Sequence, residues 1–164
     1  MDQERTPPDL LGLLDLGAAL DGGEDRFVGR PPREQTSPVY GGHSAAQALA
    51  AAGCTVSGEL PVHSVHGFFV RPAMPTVPFD HHVERVRDGA SFATRRIRTT
   101  QRGREVFSLT ASFHRPEPGL DHQDPTPPVP GPESLQTYEE RLTKAFGTVT
   151  QPLGTPYELR SSGR

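Results

Sequence analysis

The chain has 164 residues, 17 basic against 20 acidic side chains, a net charge of −3 at pH 7, and one cysteine. That length suits one domain or two small ones, and so even a balance offers no broad electrostatic case for nucleic acid or an anionic membrane. Cys54 alone excludes an intrachain disulfide and fits a reducing compartment, no apolar run approaches the ~18 residues of a membrane span, and the charged start lacks a signal peptide's apolar core, so the expected setting is cytoplasmic.

Residues 1–8 are polar and end in Pro7-Pro8, which reads as a loose arm. Residues 9–16 place Leu10, Leu13, Leu14 and Leu16 on one side of a short helix, with Asp9 as N-cap and Gly22-Gly23 as the stop. Residues 25–30 form a short strand closed by Pro31-Pro32, and residues 33–38 a loop. The stretch VYGGHSAAQALAAAG, residues 39–53, is the centre of the chain. Alanine is the best helix former, Gly53 is a suitable C-terminal stop, and Gly41-Gly42 leave the helix entrance open to close approach. The first N–H groups of a helix lack internal partners and its dipole makes that end positive, so this entrance can hold a polarised carbonyl or an anion.

Four extended stretches follow. Residues 62–71 are apolar without clean alternation, which predicts a strand covered on both faces. Residues 79–87 are the second, ended by the turn pair Asp88-Gly89. In the third, 91–100, Ala93, Arg95, Ile97 and Thr99 share one face and Phe92, Thr94, Arg96, Arg98 and Thr100 the other. In the fourth, 105–114, Phe107, Leu109, Ala111 and Phe113 share a face, and a turn at residues 101–103 makes these last two a hairpin. Prolines crowd residues 117–132, a linker of extended character. Residues 134–142 read as a short helix, and the tail beyond as irregular. The expected organisation is an arm and short helix (1–24), a domain (25–116), the linker (117–132) and a short helix with tail (133–164).

A helix followed by an antiparallel sheet is the order of the hotdog fold, an α+β fold in which the sheet wraps a central helix. The residues carry the likeness further. VYGGH with AQAL at 46–49, VHSVHGFFVRP at 62–72, VERVRDG at 83–89, SFATRR at 91–96, the segment 107–113 and His122-Gln123 occur in the order found in acyl-CoA thioesterase II. The chain resembles the N-terminal half of that double-hotdog family over residues 9–135. The resemblance implies hydrolysis of fatty acyl-CoA to free acid and CoA by an activated water, without cofactor or metal. It also implies a catalytic Asp, Thr or Ser, and Gln in a second hotdog, which lies beyond this sequence. An uncovered strand edge then predicts a homodimer, or pairing with a second hotdog.

Several residues are candidates for a site. The backbone N–H groups of Gly42 and His43 can bind a thioester oxygen; alternatively the glycines only permit tight packing. Gln47, one turn on, can orient a water through its amide or satisfy a backbone group in the core; a neutral amide takes no proton near pH 7, so it is no general base. His63 is a candidate base, or a buried histidine satisfied by backbone. Arg95 and Arg96, with Arg85, Arg87 and Arg98, can meet the phosphates of CoA or simply cover a solvated sheet face. His63 and His66 diverge on their strand, and His81-His82 read as a solvated edge rather than a zinc site. Cys54 lacks a basic neighbour that would activate it. The competing functional reading is an inactive acyl-CoA-binding or assembly module. A dehydratase is disfavoured because residues 40–53 contain no carboxylate.

Overall fold

A computed structural model of the chain describes residues 10–18, 23–31, 38–147 and 160. They divide into two compact units, one within residues 9–118 and one from residue 119 onward.

The first unit contains α1 (Leu10–Leu13), β1 (Gly17–Ala18), β2 (Arg26–Gly29), α2 (Gly41–Gly53), β3 (Val62–Phe69), β4 (Phe79–Asp88), β5 (Phe92–Gln101) and β6 (Arg104–His114). The strands make one antiparallel sheet in the order β1-β2-β4-β5-β6-β3. The helix α2 lies against one face. Its small residues Ala48, Ala51 and Ala52 are fully buried, so the backbone comes close to Phe79, Val83, Ala93, Ile97, Phe107, Leu109, Ala111 and Phe113, the inward side chains of β4, β5 and β6. Burying one such large side chain stabilises by ~1.5–3 kcal/mol, and the alternation on β5 and β6 puts nearly all of them on the helix side. This is the hotdog arrangement.

The β5–β6 hairpin closes through Arg102 (φ 49°) and Gly103 (φ 72°). Two successive positive φ angles define the type I′ turn that matches strand twist. The alternation expected for both strands is present, with Ala93, Arg95, Ile97 and Thr99 buried.

Other expectations need correction. Strand β3 is not covered on both faces: it is the sheet edge, and all eight of its residues are exposed. Its unbroken apolar character comes from an uncovered inner face, where Val62, Val65 and Phe69 point the same way as Phe113, Ala111 and Phe107 opposite them. The first helix is a single turn, and Gly17–Ala18 already pairs with β2, so Gly22-Gly23 do not end it. Gly53 stays helical; Cys54 is the cap, at φ −61°, with its N–H donating to the Ala50 carbonyl. The arm, Asp9 and most of the loop before α2 lie outside the described residues.

In the second unit, residues 119–131 form no helix or strand and are exposed. The helix expected at 134–142 is displaced: a 3₁₀ turn spans Pro132–Ser134 and α3 spans Tyr138–Phe146. Thr137 sets the start, because its hydroxyl accepts from the Glu140 N–H while the Glu140 carboxylate accepts from the Thr137 N–H. Arg160 is not irregular tail; it bridges to Thr137 and donates to the carbonyls of Pro132, Glu133 and Leu135.

Candidate functional site

A pocket of about 390 Å³ opens at the entrance of α2, between the helix, the end of β3 and the start of β6. Val39, Phe69, Val70, Pro72, Ala73 and Val106 give it apolar walls; Gly41, Ser44 and Arg71 supply its polar groups. The Val39 N–H donates to the Ala73 carbonyl at 2.9 Å, which holds the two sides of the mouth together.

The glycine pair seats aromatic rings rather than leaving the entrance bare. A Cβ on Gly41 would stand 2.8 Å from the Phe69 ring, and one on Gly42 only 2.4 Å from the Tyr40 ring. Each glycine therefore seats an aromatic ring. The His43 N–H already donates to the Tyr40 carbonyl at 3.0 Å, so it is not available to a ligand. The His43 Nε2 lies 3.1 Å from the Arg30 carbonyl. A carbonyl only accepts, so this nitrogen carries the hydrogen and Nδ1 the lone pair. Burial pulls the His43 pKa below the usual imidazole value, against the opposing effect of the Arg30 bond.

Gln47 does not face the pocket. It is 1% exposed, and its Nε2 donates to the Leu13 carbonyl (2.6 Å) and the Arg30 carbonyl (2.9 Å). It thus fastens α1 and the chain after β2 onto the helix, the core-satisfying alternative. Its Oε1 is buried without a partner. So is Nε2 of His81, whose Nδ1 lies 2.9 Å from the Thr99 hydroxyl. Both atoms crowd Gly29, where a Cβ would come within 2.1 Å of Gln47 Oε1 and 2.8 Å of His81 Nε2. His81 is fully buried, not on a solvated edge, and burial lowers its pKa to about 4. Sequence reading missed it because a histidine pair between charged residues resembles surface; only its register opposite Thr99 separates it from exposed His82.

His63 lies on the outer face of the sheet. Its Nε2 is 2.9 Å from Ser112 Oγ, and its ring meets Phe92 and His114 edge-on. Ser112 lies between inward Ala111 and Phe113, so the sheet separates this group from α2 and the pocket.

Arg95 is held inside the fold rather than offered at the surface. It is 1% exposed and its donors are engaged: Nε with Thr55 Oγ1 (2.7 Å), Nη2 with the Thr55 carbonyl (2.9 Å) and the Asp88 carboxylate (2.5 Å), and Nη1 with the carbonyls of Arg87 and Thr94. It clamps the chain after α2 to the β4–β5 hairpin. Arg96 is on the outer face, paired with Glu84 at 3.0 Å where both side chains are exposed. Arg85 likewise pairs with Asp25 at 2.7 Å, and that bond, the main cause, keeps the Asp25 carboxyl below its usual range. The structure therefore gathers Gly41, Ser44, Phe69 and Arg71, not the set read from sequence. Ser44 went unnoticed because one serine among alanines carries no pattern. Among the described residues, no cluster of three or more His, Cys, Asp or Glu side chains is placed to hold a metal, and no helix is long and apolar enough to cross a membrane.

With this geometry in hand, comparison with known proteins gives consistent matches. The family model described as acyl-CoA thioesterase N-terminal domain matches residues 30–114. Acyl-coenzyme A thioesterase 8 of Mus musculus is 44% identical over 118 residues, covering 71% of this chain and 37% of that protein. Acyl-CoA thioesterase 2 of Haemophilus influenzae is 33% identical over 129 residues, covering 75% and 45%. A crystal structure of the acyl-CoA thioesterase II TesB2 from Mycobacterium marinum superimposes with a TM-score of 0.68 at 36% identity, covering 82% of this chain and 49% of that one. The matched part thus spans less than half the length of these relatives.

Proposed function

The chain belongs to the acyl-CoA thioesterase N-terminal domain family, and on that premise we propose that it supplies one hotdog of an enzyme that hydrolyses fatty acyl-CoA to free acid and CoA. The observation that carries this reading is the pocket at the α2 entrance. Apolar walls suit an acyl chain, and the positive end of a helix suits the oxygen on which charge develops when water attacks a thioester. The Gly41 and Gly42 amides, rather than that of His43, are the donors on offer, since the first turn of a helix cannot use them internally.

The second reading, a binding or assembly module, draws on a specific observation. The lining residues include no carboxylate and no histidine, so the base that activates water comes from a partner. The exposed β3 edge is where that partner adds its strands, as a second hotdog or a second copy of this chain. The proposed setting is cytoplasmic, and the proposed hotdog domain is residues 25–116, with β1 of the preceding segment paired onto its strand β2.

Thiol release from decanoyl-CoA, followed with a thiol reagent, tests the proposal. Turnover by the chain alone supports the enzyme; tight binding without turnover supports the module. Neither binding nor turnover, with the protein folded, sinks both.

A further inference from the structure

We infer that the pocket at the α2 entrance is a site for the free carboxylate of a medium-chain fatty acid, with the Ser44 hydroxyl as its selective donor. Several observations converge on it. Ser44 is only 3% exposed, lines the pocket, and its hydroxyl makes no hydrogen bond among the described residues. A hydroxyl with no partner inside the protein is a donor available to an acceptor that enters the pocket. Ser44 stands at the first turn of a 13-residue helix, whose orphan N–H groups and dipole favour an anion beside it. Arg71 brings a full positive charge to the same lining; one of its nitrogens donates to the Glu105 carbonyl at 2.7 Å, and it makes no ion pair among the described residues.

No acidic side chain lines the pocket, so the hydroxyl, the helix end and the guanidinium act on a ligand head unopposed. A carboxylate gains more from this set than a neutral thioester carbonyl, because hydrogen bonds to a charged acceptor are roughly twice as strong. The rest of the lining is hydrocarbon, which suits an aliphatic tail. A volume of 390 Å³ lies at the small end of ligand pockets (~300–1,000 Å³) and suits a medium chain rather than a long one. The choice of an acyl tail rests on the acyl-CoA reading above; the anionic head does not. The ligand is then the product of the proposed hydrolysis, and its retention is product inhibition.

Titration calorimetry of the full chain with decanoate, decanol and decanoyl-CoA tests this. Decanoate is expected to bind one per chain and decanol at least about tenfold more weakly. Ser44→Ala, which keeps the helix because alanine is the better helix former, should weaken decanoate about tenfold, and Arg71→Gln by a similar factor. Ser44→Thr, which keeps a hydroxyl, should retain more affinity than Ser44→Ala. Equal affinity for decanol and decanoate, or an unchanged decanoate affinity in Ser44→Ala, overturns the site. So does a Ser44→Ala variant that loses decanoyl-CoA binding more than decanoate binding, since the hydroxyl then serves the thioester. Decanoate binding that meets these expectations in a chain that neither binds nor hydrolyses decanoyl-CoA leaves this site standing and removes the acyl-CoA reading instead.

Discussion

Replacing Arg95 with methionine keeps most of the stem volume and removes every donor. The groups left behind decide the cost. Asp88 is 57% exposed, so water takes back its carboxylate and its loss counts little. The Thr55 carbonyl and hydroxyl, in contrast, lie in the interior, and the hydroxyl's own hydrogen is already given to the Ala52 carbonyl at 2.8 Å. Two buried acceptors left without donors cost ~1–3 kcal/mol each, partly offset by no longer burying a charge, so the expected loss is about 3 kcal/mol. Urea unfolding should show a lower midpoint with an unchanged slope, and thermal unfolding a fall of about 10–15 °C for a domain of this size. Arg95→Met and Thr55→Val should be less than additive, because they break the same contacts. A loss under about 0.5 kcal/mol for Arg95→Met, strict additivity, or weakened CoA binding with stability intact would refute the clamp.

The other predictions are as concrete. Gly29→Ala drives a methyl into Gln47 and His81, neither of which can swing aside; it should cost about 2–3 kcal/mol, read from the same urea curves. His81 makes stability fall in acid. Its folded pKa, about 4, is below the ordinary 6.5, so between those values the unfolded chain takes a proton that the folded one refuses. That stability is complete above pH 6.5 and shrinks by up to about 3 kcal/mol as pH drops to about 4. His43 acts in the same direction, and Asp80 against it; a His81→Gln variant should show a flatter dependence over that window. Light scattering should give twice the 17.8 kDa chain mass for the wild type and the single mass for Val65→Lys, which puts a charge on the inner side of the β3 edge. A wild-type monomer at every concentration would rule out self-pairing along that edge.

What the sequence made legible was whatever repeats locally. The two-residue period of β5 and β6, the turn between them and the alanine-rich helix follow from short-range rules, and all three are present. Two of the misreadings share one cause: the partner lay far away in sequence. Arg95 reads as surface until Thr55, forty positions earlier, is seen closing over it. Gln47 reads as a site residue until Leu13 and Arg30 occupy its amide. Strand β3 reads as doubly covered because an uncovered apolar edge and a sandwiched strand look alike in one dimension. The displaced α3 is different, since its capping box, Thr137 to Glu140, was available in the sequence.

Phe69 belongs at once to the free rim of the sheet and to the wall of the pocket, with its ring resting on Gly41 and tilted against that of Phe107, the centroids 4.8 Å apart. On the two proposals above, a partner along that rim and a ligand in the pocket both touch this ring. Thermodynamic reciprocity then predicts that each reports on the other: dilution should alter how tightly the protein holds its ligand, and added ligand should shift its association by the same factor.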